Sequence, residues 1–273
     1  MRSPVASRAH PRVIGAALLV ATLAATPAAS ADTTHKRRRD RLAVLALGAT
    51  LYLASETVFK EALVPDACRW CGTNRLDRAV RDRFLWDDPH QARKLSDLAA
   101  YVAAPVAAFG LLALAGSSDD DPWLRFADDA IPVLEAVVYT QLLTGAVKLA
   151  VGRERPGIHF TDEKRTSEDN LSFFSGHTSL AFSLAVSAGM VAHARKSPFE
   201  PFIWGAGLGL ATATAYLRVA GDKHYFSDVA VGAAIGIAGG LLIPKLTGSL
   251  PRGPGKRTRV VPTGNGFAIV GQF

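Results

Sequence analysis

Two histidines, an aspartate and three cationic side chains recur along this 273-residue chain at spacings that suit an anionic substrate. His224 precedes Asp228 by four residues, which on a starting helix puts both side chains on one face within hydrogen-bonding reach. A carboxylate on one ring nitrogen fixes the imidazole in the tautomer whose other nitrogen keeps a free lone pair. The same pair fits a structural histidine, so upstream residues have to decide. Lys148 and Arg155 are seven residues apart; if the helix runs on, that is about two turns and both cations share a face, with Pro156 closing it. Ser175-Gly176-His177 opens an apolar run, where the free N–H groups of a helix start and the helix dipole make an anion site. Arg218 stands six residues before His224 and adds a third cation.

In order and spacing these stretches resemble the type 2 phosphatidic acid phosphatase superfamily, whose members share their site with the vanadium haloperoxidases. That pattern is Lys-x6-Arg-Pro, then Pro-Ser-Gly-His, then Ser-Arg-x5-His-x3-Asp. Here Phe174 replaces the proline and Leu217 the serine, and neither is a side chain the chemistry must have. The resemblance covers roughly residues 98–246. It implies that His224 attacks phosphorus to give a phosphohistidine, that Asp228 fixes its tautomer, and that His177 protonates the leaving oxygen and later activates water. Lys148, Arg155 and Arg218, with the Ser175 hydroxyl and the Gly176 N–H, would cradle the phosphate. No cofactor and no metal are implied; convergence of His177, His224 and Asp228 on a metal is the alternative, which the surrounding cations disfavour.

Five apolar runs must position these residues: 98–115, 131–151, 179–194, 202–220 and 229–243. All are of membrane length or nearly so, and rich in the small residues that let helices approach closely. Gly232 and Gly236 have small-x3-small spacing, and Gly205, Gly207 and Gly209 read the same way rather than as a nucleotide loop. The expected fold is therefore all-α, a bundle of about five membrane-spanning or membrane-length helices plus an N-terminal amphipathic helix. Residues 42–63 supply the latter, lying on the membrane or against the bundle. Glu135 and Gln141 interrupt the second run and read as buried hydrogen-bonding residues. Asp222 and Lys223 precede the nucleophile and would reach substrate or each other, while His159 reads as a surface residue near the mouth.

Residues 1–31 have the makeup of a secretory signal: arginines, an apolar run over 13–25, and Ala29-Ser30-Ala31 as a cleavage site, with an uncleaved anchor as the alternative. Residues 32–97 form an exported segment with the amphipathic helix and a Cys68/Cys71 pair, which in an exported chain reads as a local disulfide. Residues 98–246 are the helical core. Residues 247–273 are a basic linker and a short hairpin turning at Asn265-Gly266.

Net charge is +7, but the basic residues fall in short clusters without a basic, aromatic-interleaved helix, which argues against nucleic acid. A mean hydropathy of +0.16 leaves membrane and soluble readings both open. The basic loops around Arg195 and Lys196 and after Lys245 place those ends in the cytoplasm and the motifs outside; a cleaved signal agrees provided 42–63 does not cross. The leading expectation is a bacterial inner-membrane phosphatase acting on a lipid phosphate or isoprenoid diphosphate, with lipid as its partner. A soluble periplasmic acid phosphatase is the alternative, followed by a haloperoxidase and a non-enzymatic membrane protein.

Overall fold

The computed structural model describes residues 34–161, 166, 168–251, 259–263 and 266–270. The signal segment, the basic tail from Arg252 and Asn265 lie outside the described residues. In chain order the helices are α1 (Thr34–Thr57), α2 (Lys60–Leu63), α3 (Arg75–Phe84), α4 (Pro89–Leu98), α5 (Ala104–Ala115), α6 (Pro122–Val151), α7 (Pro156–Phe160), α8 (Gly176–Arg195), α9 (Glu200–Ala220) and α10 (Phe226–Leu246). A π-helical turn, Ala99–Ala103, joins α4 and α5. Strands β1 (Arg259–Thr263) and β2 (Gly266–Val270) pair antiparallel with Thr263 opposite Gly266, so Gly266 belongs to the strand and not to the turn expected of it.

Helix starts follow from local chemistry. Asp88 and Asp121 accept N–H groups of α4 and α6, each with proline next in the chain, where a missing N–H costs nothing. Among the described residues three helices are long and apolar enough to cross a membrane: Pro89–Ala115, Pro122–Val151 and Phe226–Leu246. The first runs through the boundary expected at residues 97 and 98, because the π-turn continues the helix instead of ending it.

Helix α8 is the centre of the bundle, held between α6, α9 and α10. Its Ser183 and Ser187 are fully buried and return their hydroxyls to carbonyls of their own helix, so they need no water. Against it lies the glycine stripe of α10. A Cβ at Gly236 would come 2.6 Å from the Ser179 carbonyl oxygen, and one at Gly232 2.8 Å from that of Ser175, so both positions require the missing side chain. Gly207 of α9 likewise faces Ala185. Gly205 and Gly209 do not pack: nothing lies within 4 Å of a Cβ built there, contrary to the sequence expectation.

Helix α1 lies against the bundle, parallel to α6. Arg38 reaches Asp128 at 3.5 Å, Gly48 faces Val138 and Tyr139, and Tyr52 and Glu56 arrive beside Thr144 and Lys148. Arg41 donates to the carbonyls of Thr247 and Gly248 at 2.7 and 2.8 Å. The helix thus runs along the bundle from Asp128 to the cavity. Its outer face is apolar, with Leu47 and Leu53 exposed, which is not the polar face of a helix lying in water.

Candidate active site

The expected continuous helix from Lys148 to Arg155 does not form. Helix α6 stops at Gly152, whose φ of +59° is a left-handed cap that glycine adopts without strain. Arg69 donates to the last carbonyls, those of Leu149 and Ala150, at 2.9 and 2.8 Å. Lys148 therefore sits in the final turn of α6, while Arg155 follows an extended stretch and precedes α7. Cys68 and Cys71, joined in a disulfide as expected, flank the Arg69 that makes this cap.

The described elements meet at one end of the bundle around a cavity of about 150 Å³. Six of the residues expected from sequence line it: Lys148, Arg155, Gly176, His177, Arg218 and His224. Four cations, Lys60 with those three, face two carboxylates, Glu56 and Glu168. Such an imbalance in a half-enclosed space favours an anion. Lys148 donates to the Leu171 carbonyl at 3.1 Å, and Arg155 to the Glu168 carbonyl at 2.9 Å with its Nη2 3.5 Å from the Glu168 carboxylate. Arg218 donates to Ser96 at 3.0 Å and Asp97 at 3.2 Å, leaving its buried Nε without a hydrogen bond.

Ser175 and Asp228 stand behind the cavity wall. Ser175 is fully buried and caps α8, its oxygen accepting from the Thr178 hydroxyl at 2.9 Å and amide at 3.4 Å; the expected phosphate contact is not poised. Asp228 lies 3.7 Å from His224 Nδ1, beyond a hydrogen bond, and that nitrogen has no other partner. The oxygen nearer the ring is Oδ2, and both carboxylate oxygens have other donors. Oδ1 accepts from Arg153 at 2.5 Å, and Oδ2 from the Ser172 hydroxyl at 2.6 Å and the Tyr225 N–H at 3.0 Å. With those bonds in place, and His177 Nε2 held 2.7 Å from Asp97, the metal alternative of His177, His224 and Asp228 is not assembled.

Several of these partners escape a motif reading. Asp97 binds both His177 and Arg218, yet it comes from the exported segment 32–97, outside the expected helical core. Tyr52, Glu56 and Lys60 reach the cavity from 90 or so residues upstream of Lys148, and no local pattern marks them. Arg153 lies inside the Lys-x6-Arg spacing as an unspecified residue; its neighbour Glu154 is just as polar, so type alone does not single it out. Asp222 turns to Arg81, which grips it through two bonds of 2.7 and 2.6 Å, and does not meet Lys223. His159 stays outside the cavity, 3.2 Å from Glu154. Glu135 and Gln141 are buried and hydrogen-bonded: Glu135 accepts from Thr247 at 2.7 Å, and Gln141 donates to Ser179 at 3.2 Å.

Burial, with Arg218, Arg155 and Lys148 close by, pushes His224 well below the ordinary imidazole range, so it is neutral at working pH. Burial, then Arg155 and other arginines, brings Lys223 down to about 8. Glu168 feels burial pushing up, but its contacts with Lys60 and Arg155 prevail and hold it at about 2.

Residues 129–251 match the family model of the PAP2 superfamily. That stretch is 123 residues, somewhat under half of the chain. The motif residues Lys148, Arg155, Ser175, His177, Arg218, His224 and Asp228 all fall within it. The chain is similar to a probable lipid phosphate phosphatase beta of Arabidopsis thaliana, 30% identical over 128 residues, which are 39% of this chain and 60% of that protein. The chain thus matches less than two thirds of that relative's length. Among solved structures it is similar to a transmembrane PAP2-type phosphatidylglycerolphosphate phosphatase from Bacillus subtilis, at 16% identity and a TM-score of 0.49, over 78% of this chain and 98% of that one. It is also similar to Aquifex aeolicus LpxE, at 26% identity and a TM-score of 0.36, over 56% and 93%. The matched stretch leaves α1 to α5 outside it, although α1, α2 and α4 supply walls or partners of the cavity.

Proposed function

We propose that this protein is a membrane phosphatase that hydrolyses a lipid phosphate or isoprenoid diphosphate through a phosphohistidine, without a metal. The observation that carries this reading is a neutral His224 in a cavity walled by Lys148, Arg155 and Arg218, with its Nδ1 turned to Asp228. Phosphoryl transfer needs positioning and positive charge more than covalent ingenuity, and these cations supply it. Arg155 and Arg218 offer forks that match phosphate oxygens, and Lys148 a point charge.

In the first step the His224 Nε2 lone pair forms a bond to phosphorus while the phosphorus–oxygen ester bond breaks. His177 gives its proton to the departing oxygen. A bound phosphate adds negative charge beside His177 and, with Asp97, favours its protonated form. In the second step His177 takes a proton from water, the resulting oxygen attacks phosphorus, and the phosphorus–nitrogen bond breaks to release inorganic phosphate and neutral His224. Asp228 stabilises the ring charge in between.

The membrane reading rests on three helices of sufficient length and apolarity. We take α8 and α9 as the fourth and fifth crossings. Arg38, Arg41, Arg195 and Lys245 at the far end from the cavity favour that end as cytoplasmic and the site as outward-facing in a bacterial inner membrane.

The test is phosphate release by the purified protein, with chelator, from phosphatidic acid, phosphatidylglycerol phosphate, undecaprenyl diphosphate and a soluble phosphomonoester. Chelator-resistant release that falls about 10⁵-fold in His224→Ala is expected. Activity that survives that substitution sinks the histidine mechanism, and preference for the soluble ester favours the acid phosphatase instead.

A further inference from the structure

Behind His224 lies a charged cluster that the cavity does not reach. Arg153 is fully buried, its guanidinium carbon 4.0 Å from the Trp70 ring centroid and 4.1 Å from that of Tyr225. Its Nη1 donates to Asp228 at 2.5 Å and to the Ser227 hydroxyl at 2.8 Å, and its Nη2 donates to Asp77 at 2.7 Å. Asp77, equally buried, also accepts the Ser227 N–H at 2.8 Å and the Asn74 amide at 2.8 Å. A buried ion pair is a poor device for stability alone, since desolvation consumes most of its Coulomb gain. This one fixes the only carboxylate facing the Nδ1 of His224 among the described residues.

The charge count makes the arrangement useful. Asp77 and Asp228 share a single guanidinium, so the cluster carries one net negative charge beside a neutral imidazole. A phosphoryl group on Nε2 with a proton on Nδ1 makes the ring cationic, and the cluster then balances it. We propose that Arg153 is a positioning residue for the nucleophile: it keeps Asp228 ionised and in place, so that Asp228 accepts the Nδ1 proton and Nε2 keeps its lone pair for phosphorus. This rests on the phosphatase reading above. A buried carboxylate without a cation favours its neutral form. Asp228 would then donate to Nδ1, the ring proton would move to Nε2, and no lone pair would face the substrate. The groups facing Asp228 are Arg153, His224 and the Tyr225 phenol, with Asp77 behind Arg153 and Arg155 beyond His224.

The experiment compares kcat and KM for phosphate release from phosphatidic acid between pH 4 and 9, using full-length wild type, Arg153→Met, Arg153→Lys and Asp77→Asn in detergent. In Arg153→Met, kcat falls about 10³-fold or more, the scale on which a histidine loses its orienting carboxylate, while KM stays within about threefold. The acid limb of its kcat profile moves to higher pH, and Arg153→Lys restores part of both. Asp77→Asn leaves the whole Arg153 charge to Asp228, so its acid limb moves the other way, by about one pH unit. A loss equal at every pH, or carried by KM, overturns the proposal. If the Arg153 variants do not fold, an unmoved limb in Asp77→Asn overturns it. Absence of phosphate release from the wild type overturns the phosphatase reading and this inference with it; an active wild type with unmoved limbs overturns only the role of Arg153.

Discussion

The two ends of the bundle use the same residue types for opposite purposes. At the far end Asp129, only 1% exposed, is held by Arg125 at 2.8 Å and by Arg195 at 2.7 Å, and Arg125 also pairs with Asp119. Each of these cations has a carboxylate, and the result joins α6 to α8. At the cavity end Lys148 has a carbonyl instead of a carboxylate, Arg218 keeps an unsatisfied Nε, and four cations share walls with two acids. Paired charge holds helices together, whereas charge left in excess around a cavity is held ready for a ligand. Arg195 reaches Asp129 from another helix, a contact that no local pattern around Arg125 reveals.

Three substitutions probe that contrast. The largest effect is expected at the far end: Asp129→Asn leaves two arginines facing each other and lowers stability by about 2–3 kcal/mol, less than for a wholly buried pair because both arginines keep some exposure. Thermal unfolding in detergent measures this, and kcat/KM of the folded protein should not change; a specific loss of activity would break the division between the ends. At the cavity, Glu168→Gln removes a carboxylate that competes with substrate for Arg155 and Lys60. Glu168 is 44% exposed, so the gain is modest, a fall of about two- to fivefold in the inhibition constant of inorganic phosphate. Weaker phosphate binding in this variant would show that Glu168 shapes the cradle instead of occupying it.

The smallest effect concerns pH. Lys223 has a folded-state value depressed to about 8, so it is cationic below that pH and loses its charge above it. If its charge helps hold substrate, wild-type KM rises a few-fold between pH 7.5 and 9, and Lys223→Arg flattens that rise. Identical profiles would remove Lys223 from the group of cations that matter.

How far the chain can be read unaided differs between its parts. The motif residues are local in sequence: Asp228 lies in the first turn of α10 with His224 just before its cap, and Ser175-Gly176 opens α8, so spacing together with the family resemblance pointed to six of the cavity walls. The glycine stripe at Gly232 and Gly236 was equally legible, since a four-residue period places both on one helix face. The end of α6 was misread because Pro156 is a strong helix-stop signal; Gly152 stops the helix earlier, helped by Arg69 from a loop some 80 residues away. The capping role of Ser175 and the bonds that hold the Asp228 carboxylate depend on partners that local spacing does not show, Thr178 in one case and Arg153, Ser172 and Tyr225 in the other.

The sequence by itself determined which side chains can carry a phosphate reaction and that long apolar helices present them, because both follow from residue type and short-range spacing. Only the tertiary structure decided which partners tune them. Asp97, Glu168, Asp77 and the walls from α1 reach the site across long stretches of chain, and such contacts have no period or motif to reveal them. Their effect is nonetheless first-order, since a buried charge is governed by whichever opposite charge lies within a few ångströms.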